Sequence, residues 1–300
     1  MIFDESTLHK LEQLTLVAEQ VRVGVMKGDR RSRKRGSSVE FADYRNYVRG
    51  DDLRRLDWNV YARLERPFVK LLEEEEDLAV HLLVDASGSM DWPPAPGSQQ
   101  PPDSHKLTYA LRLAGALGHV ALSGGDRLNA TLLTAQGDGL QRWGPFRGAQ
   151  NSLRLFNFLE NARAAGLTNL DVSLRAYALR GGRPGLLFLL GDVLSPGYRD
   201  GFSALLARGY ELVVLHLLSP DELQPALAGD LKLVDVESGA ETEISIDATT
   251  LQAYHDRLRD WQGELAAFCS ARGAHYVPVA TDTPWERLVL QTFRRRGIVT

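Results

Sequence analysis

The 300-residue sequence predicts an α/β fold with a doubly wound, mostly parallel sheet and an N-terminal extension of helix and strand. Two kinds of segment lead to this prediction. Residues 78–84, apart from His81, and residues 186–190 are apolar runs, each suited to a strand that is buried on both faces. Segments with helical periodicity alternate with such runs, which is typical of parallel strands joined by crossover helices.

Composition limits the classes of protein to which the chain can belong. Hydrophobic residues make up 44% and charged residues 25%, as in an ordinary globular protein. The net charge of −4 gives no general attraction to nucleic acid. A single cysteine, Cys269, excludes an intramolecular disulfide, and no apolar run approaches the ~20 residues of a membrane span. With acidic residues at its start, the chain is predicted to be cytoplasmic.

Residues 1–76 are predicted to form an extension that packs on the main domain. Apolar residues at spacings of three and four predict an amphipathic helix over residues 6–26. The basic stretch 27–35 offers charges for nucleic-acid phosphates, but without interleaved aromatic residues it is more typical of a solvated loop. Residues 66–72 are predicted to be a strand.

Residues 40–66 alternate aromatic side chains with charges of both signs. This pattern favours an ion-pair framework that clamps a compact subregion onto the main domain. The alternative is an acid/base site that uses Asp51, Asp52 and Asp57. Because neither His nor Cys lies beside these carboxylates in the sequence, the structural role is preferred.

The main domain is predicted to span residues 77–300, with strands and helices in alternation and a proline-rich loop between the first strand and the first helix. Predicted strands lie at 78–84, 127–134, 186–190, 211–218 and 275–279, and predicted helices at 105–122, 152–165, 170–179, 198–207, 249–272 and 285–296. A hairpin near residues 231–246 interrupts the alternation.

Three oxygen-bearing side chains directly follow the first apolar strand. Asp85, Ser87 and Ser89 lie at alternate positions, separated by small residues. Carboxylate and hydroxyl oxygens suit Mg²⁺, which usually keeps some coordination positions for water or an incoming group. The alternative is an ordinary polar turn in which a serine caps the next helix.

Two later loops carry similar side chains. Thr168 precedes the predicted helix 170–179, and Asp192 follows the apolar run 186–190; each alone is compatible with a helix cap or a turn. Because the carboxyl ends of parallel strands meet at one edge of a sheet, we expect the three loops to converge. The sequence therefore predicts a Mg²⁺ site, which Mn²⁺ or Ca²⁺ could also occupy, formed by Asp85, Ser87, Ser89, Thr168 and Asp192.

These motifs resemble the metal-ion-dependent adhesion site of von Willebrand factor A domains. Upstream, a longer pattern resembles the bacterial family of domains of unknown function numbered fifty-eight (DUF58): Arg45-x-Tyr47-x-x-Gly50-Asp51-Asp52-x-Arg54-Arg55-x-Asp57-Trp58. The resemblance covers nearly the whole chain after the first helix. It implies a von Willebrand factor A-like fold and a role as an adaptor or co-chaperone of a MoxR-type AAA+ ATPase.

The resemblance also implies that an acidic side chain of a partner protein completes the coordination of the metal. Met90, Trp92 and Asn169 flank the predicted ligands and are expected to contact that partner. Asn169 stands where many related domains have Gly or Asp. The proline-rich insertion after Met90 lengthens the rim and would block or redirect docking.

A metal-dependent hydrolase, such as a phosphatase, is the alternative function at the same rim. It needs a general base or nucleophile near the ion. His81 lies inside the predicted strand, which leaves His105, beyond the proline-rich loop, as the candidate base. We therefore predict a binding module rather than an enzyme.

Overall fold

A computed structural model describes residues 3–18, 40–48, 56–73, 78–94, 103–135, 139–195, 197–236 and 239–300. The chain divides into two compact units: Lys27–Asp77 forms the small unit, and Met1–Met26 with Leu78–Thr300 forms the large unit. This division corrects the predicted extension over residues 1–76. The first residues belong to the large unit because Leu11 and Leu14 are buried in its hydrophobic core.

The small unit contains a two-stranded antiparallel sheet and a short helix. β1 (Glu40–Asn46) pairs with β2 (Phe68–Glu73), and α2 (Trp58–Leu64) comes between these strands in the sequence. The predicted strand 66–72 is therefore confirmed as β2, with bounds shifted by one or two residues.

Asp57 has a structural role at the start of α2. Its carboxylate accepts hydrogen bonds from the N–H groups of Asn59 and Val60, at 2.9 and 3.2 Å. This is the usual way to satisfy the free N–H groups of a helix start. The other two carboxylates of the alternative acid/base site, Asp51 and Asp52, lie outside the described residues.

The basic stretch 27–35 also lies outside the described residues.

In chain order the large unit contains α1 (Glu5–Leu11), β3 (Ala79–Asp85), α3 (Lys106–Ser123), β4 (Arg127–Leu133), β5 (Leu140–Arg147), α4 (Ser152–Glu160), α5 (Leu170–Arg180), β6 (Leu186–Gly191), α6 (Tyr198–Ala207), β7 (Glu211–Leu218), α7 (Pro220–Leu223), β8 (Gly229–Val234), β9 (Glu241–Ile246), α8 (Ala248–Ser270), β10 (His275–Ala280) and α9 (Trp285–Arg287), which continues as a π-helix over Leu288–Phe293.

The predicted first helix, residues 6–26, is too long. α1 ends at Leu11 because the chain then pairs with its own C-terminal residues. The N–H of Thr15 donates to the carbonyl of Thr300 at 3.1 Å, and the N–H of Val17 donates to Ile298 at 2.9 Å. These tertiary hydrogen bonds override the local helical periodicity.

Six strands form the central sheet in the order β10-β7-β6-β3-β4-β5. Neighbouring strands are parallel except for β4 and β5, so the predicted mixed α/β fold with a mostly parallel sheet is confirmed. From β3 the chain adds β4 and β5 on one side and then returns to β6 on the other. The boundary between β3 and β6 is therefore the topological switch point, where open α/β sheets bind ligands.

Helices cover both faces of this sheet. Along β3, Leu82 and Val84 point into one hydrophobic cluster with α3, and Leu83 points into a second cluster with α5 and α6. His81 is also a core residue, as predicted: its Nδ1 lies 2.7 Å from the Tyr177 hydroxyl. Burial on both faces explains why the central strands are almost wholly apolar. In the described part of the chain, no helix combines the length and apolar character needed to cross a membrane.

β8 and β9 form a separate antiparallel ribbon, residues 229–246, which confirms the predicted hairpin near 231–246. Most of its side chains are exposed. At its tip, the N–H of Asp235 donates to the carbonyl of Ala240, and the N–H of Gly239 donates to the carbonyl of Asp235, both at 2.8 Å. The backbone of Asp235 is thus fixed at the base of the turn.

Candidate cation-binding cleft

A cleft of about 260 Å³ opens at the switch point between β3 and β6, which we call the switch-point cleft. The structure brings all five predicted ligand residues to its lining: Asp85, Ser87, Ser89, Thr168 and Asp192. The other lining residues are Leu170, Val193, Leu194, Ser195, Asp235 and Val236. That the five predicted residues bind a metal ion remains a prediction.

The end of β3 places one carboxylate and two hydroxyls side by side. Asp85 is the last residue of the strand, and its Oδ1 accepts a hydrogen bond from the N–H of Ser87 at 2.9 Å. The hydroxyl oxygens of Ser87 and Ser89 are 3.0 Å apart and share a hydrogen bond. Gly191 on β6 leaves room for this arrangement, since a Cβ there would lie 2.8 Å from the Cβ of Asp85.

Thr168 reaches the cleft on a loop that is fastened to the β3–α3 loop. The N–H of Gly88 donates to the carbonyl of Gly166 at 2.8 Å, and the N–H of Ala165 donates to Ala86 at 3.0 Å. The Oγ1 of Thr168 is buried and has no hydrogen-bond partner among the described residues. Such a group costs about 1–3 kcal/mol, so the hydroxyl is suited to a bound ion or water.

Backbone strain lies directly after Asp192. Val193 has a φ of 49°, in the left-handed region that β-branched residues avoid. Such outliers cost of order 1–3 kcal/mol and cluster at ligand sites. The turn lets the N–H of Leu194 donate to Asp192 Oδ1 at 3.2 Å, which fixes the orientation of the carboxylate.

A buried ammonium lies against Asp192. The Nζ of Lys106 donates to Asp192 Oδ2 at 2.9 Å and to Glu222 Oε1 at 2.6 Å. Burial acts to raise the pKa of Asp192, but Lys106 outweighs it and holds that pKa below its ordinary value. Burial likewise acts to lower the pKa of Lys106, and the two carboxylates together raise it. Lys106 and Asp192 are therefore both charged near neutral pH.

Sequence reasoning missed Lys106, Glu222 and Asp235. Lys106 precedes Tyr109 by one helical turn on the buried side of α3. A lysine at an apolar position of a helix indicates a buried cation, so the sequence pattern could have identified it. Glu222 forms a capping box with Ser219, which is also readable. Asp235 arrives on the ribbon, and no sequence spacing links it to the cleft.

The three predicted partner contacts differ in their surroundings. Met90 is completely buried in the core cluster, so the prediction that it contacts a partner is corrected. Trp92 is 42% exposed. Asn169 is also exposed, and its side chain caps α5 by accepting a hydrogen bond from the N–H of Val172 at 3.1 Å. Contact of Trp92 and Asn169 with a partner remains a prediction.

His105, the candidate base of the hydrolase alternative, has a structural position. Its Nε2 lies 3.0 Å from Asp91 Oδ1, and its Nδ1 accepts a hydrogen bond from the N–H of Thr108 at the start of α3. The residues that line the switch-point cleft do not include it.

The lining residues fit a hard cation with few protein charges. Every polar side chain in the lining presents oxygen, as Mg²⁺ prefers. Within the described ranges no three His, Cys, Asp or Glu side chains are close enough to hold a metal ion, so an ion here would depend on hydroxyls such as that of Thr168. Asp192 would act through water, because Lys106 and Leu194 donate to its two oxygens.

The fold and the cleft together define an α/β protein with an oxygen-lined cleft at the switch point of a mostly parallel sheet. A family model described as "Protein of unknown function DUF58" matches residues 43–264. The chain belongs to this family, as its upstream motif predicts.

Comparison with known proteins gives relatives over almost the full chain. "Uncharacterized protein Mb1516" of Mycobacterium bovis and "Uncharacterized protein Rv1480" of Mycobacterium tuberculosis are each 29% identical over 302 residues, covering 99% of this chain and 92% of theirs.

Solved structures show more distant likenesses. Conserved hypothetical protein BatB from Bacteroides thetaiotaomicron matches with a TM-score of 0.41 and 14% identity, over 74% of this chain and 97% of its own. The pilus adhesin SpaC from Lactobacillus rhamnosus GG matches with a TM-score of 0.46 and 11% identity, over 75% of this chain and 31% of its own. Likenesses this distant do not indicate what the chain binds.

Proposed function

We propose that this chain is a Mg²⁺-dependent protein-interaction module of the cytoplasm, and not an enzyme. The observation that carries the proposal is the buried Thr168 hydroxyl, which has no partner in the described chain and lies in a cleft with four other predicted oxygen donors. A bound divalent cation supplies a positive centre that accepts a carboxylate from another protein.

Each donor has a distinct place in this proposal. Asp85 supplies the negative charge that approaches the ion, and Ser87, Ser89 and Thr168 supply neutral oxygens. Asp192 holds water beside the ion, because its own oxygens accept hydrogen bonds from Lys106 and Leu194. An aspartate or glutamate of the partner completes the set.

The surroundings of the cleft favour a protein partner over a small phosphoester. Leu194 and Val236 line the cleft and are 51% and 67% exposed, and Leu167, beside Thr168, is 65% exposed. Exposed apolar side chains around a polar centre are typical of protein-binding surfaces. The described lining of the cleft includes neither His nor Cys, which are two of the side chains that serve hydrolases as base or nucleophile.

The class of partner rests on the resemblance stated above. The von Willebrand factor A-like site and the DUF58 pattern point to an adaptor or co-chaperone of a MoxR-type AAA+ ATPase. The single cysteine, Cys269, is free and buried, which is compatible with the proposed cytoplasmic location.

The test uses the full chain, Mn²⁺ as a spectroscopic substitute for Mg²⁺, and a purified MoxR-type ATPase of the same organism. Asp85→Asn keeps the shape of the side chain and removes its charge, so Mn²⁺ binding and Mg²⁺-dependent capture of the ATPase should both be lost. Mn²⁺ binding that is unchanged in Asp85→Asn would overturn the proposed site. ATPase capture that is the same in Mg²⁺ and in EDTA would overturn the role of the cation.

Thr168→Val gives a second, gentler test. It removes the hydroxyl at nearly constant volume, and we expect Mn²⁺ affinity to fall on the order of tenfold because one oxygen ligand is lost. The unfolding midpoint should not fall, since the hydroxyl that is removed has no partner. Thr168→Ser keeps the oxygen and should bind Mn²⁺ as the wild type does.

A further inference from the structure

The ribbon brings a further carboxylate to the switch-point cleft. Asp235 and Val236 at the ribbon tip line the same cleft as Asp85 and Thr168. The two backbone hydrogen bonds at Asp235, to Ala240 and from Gly239, fix where this residue stands on the ribbon. A surface ribbon is thus built with its acidic tip at the predicted cation site.

The charges in the cleft explain why a carboxylate at this place matters. Lys106 lies 2.9 Å from Asp192 and offsets part of its charge, so Asp85 and Asp192 together supply less than the two negative charges that would neutralise a divalent ion. Such an ion would keep part of its positive charge. Among the described residues that line the cleft, Asp235 is the remaining carboxylate that can offset it.

The ribbon is an exposed element outside the central sheet. It has two strands, most of its side chains face solvent, and two-stranded hairpins alone are of marginal stability. No three acidic side chains of the described chain are grouped closely enough to hold an ion, so coordination by Asp235 together with both Asp85 and Asp192 would require the ribbon tip to lean inward. Among its described residues the ribbon pairs with no strand of the central sheet, so a small displacement of its tip would leave the pairing of that sheet intact.

We infer that Asp235 is an internal carboxylate ligand that competes with the partner's carboxylate for the cation. This inference rests on the proposed function, because it requires a cation in the cleft. An intramolecular ligand acts at an effective concentration that reaches millimolar values on a short connection. Asp235 therefore excludes ligands that offer the cation a carboxylate and no other contact. It is displaced by a partner that also contacts the exposed apolar side chains Leu167, Leu194 and Val236.

The experiment measures water on bound Mn²⁺ in the full chain, by water-proton relaxation, with acetate as the carboxylate probe. In Asp235→Asn we expect Mn²⁺ affinity to fall on the order of tenfold, because a charged ligand is lost. Relaxivity per bound ion should rise, as water replaces the carboxylate, and acetate should then lower it at concentrations that leave the wild type unchanged. Glu243→Gln is the matched control, because it removes one carboxylate from an exposed position of the same ribbon outside the cleft lining.

The outcomes separate this inference from the proposed function. If Asp235→Asn and the wild type have the same Mn²⁺ affinity, relaxivity and response to acetate, while Asp85→Asn loses Mn²⁺, the role of Asp235 is overturned and the proposed function stands. If the wild type binds no Mn²⁺, the proposed function fails and the inference fails with it. A change of equal size in Glu243→Gln would also overturn the inference, since general charge would then be the cause.

Discussion

Replacing Lys106 with methionine should strongly destabilise the large unit. Methionine preserves the length and apolar stem of the side chain but removes the ammonium that lies 2.9 Å from Asp192 and 2.6 Å from Glu222. Asp192 is then left as a buried carboxylate without its counter-ion. Desolvated charge without a partner is among the costliest features in a protein interior.

The size of the loss in unfolding free energy depends on the exposure of the two carboxylates, Asp192 and Glu222. The Asp192 side chain is 4% exposed and cannot regain water, whereas Glu222 is 21% exposed and can be partly rehydrated. Removal of one partner from a buried pair costs roughly 3–5 kcal/mol. We assign most of this loss to Asp192. Adding Asp192→Asn to Lys106→Met removes the stranded charge and should recover at least half of the loss.

The assay is urea unfolding followed by far-ultraviolet circular dichroism at pH 7.5 in EDTA. The midpoint should shift while the dependence of the unfolding free energy on urea stays constant. Arg112→Met is the matched control: it is also on α3, but its 2.7 Å ion pair with Asp103 is at the surface, so less than about 1 kcal/mol is expected. A loss below about 1 kcal/mol in Lys106→Met, or no recovery in the double variant, would refute the reasoning.

Two further predictions concern the neighbours of the cleft and the core. In Gly191→Ala the new Cβ would lie 2.8 Å from the Cβ of Asp85, so Mn²⁺ affinity should fall on the order of tenfold and stability by about 1–3 kcal/mol; unchanged Mn²⁺ affinity would contradict this. Burial lowers the pKa of His81 from 6.5 to about 4. As pH falls, the unfolded chain is therefore protonated at His81 before the folded chain is. The contribution of His81 is fully present above pH 6.5 and about 3 kcal/mol is lost as pH falls to 4. His81→Asn, which is polar but does not titrate, should flatten the fall in urea stability over that window; the same slope as the wild type would exclude His81 as its source.

The sequence predicts the buried centre of the fold better than its edges. β3 and β6 are apolar on both faces, and this signal comes from the strands themselves. β5 was not predicted because it is an antiparallel edge strand that contains Gly144 and Pro145, residues typical of turns. The end of α1 depends on pairing with residues almost three hundred positions away, which no local pattern reveals.

The same contrast applies to the cleft. Asp85 and Asp192 could be placed together because each follows a buried parallel strand, and such strands end at one edge of the sheet. The sequence shows Lys106 as a cation on the buried side of a helix. Its effect on Asp192 could not be predicted, because the sequence does not show which carboxylate the ammonium contacts. Asp235 depends on where an exposed ribbon leans, and this is a tertiary property without a sequence pattern.

The donors of the cleft rest on parts of the molecule that differ in rigidity, and this difference can be measured. Asp85 ends a fully buried strand, and Asp192 is fixed by Lys106, so changes near either should alter both unfolding stability and cation affinity. Asp235 stands on an exposed ribbon that is separate from the central sheet, so its removal should alter cation affinity and leave urea stability almost unchanged. The cation would therefore bind beside Asp85 and Asp192, whose positions are already fixed. Asp235 on the ribbon and the carboxylate of the partner would compete for its last coordination position.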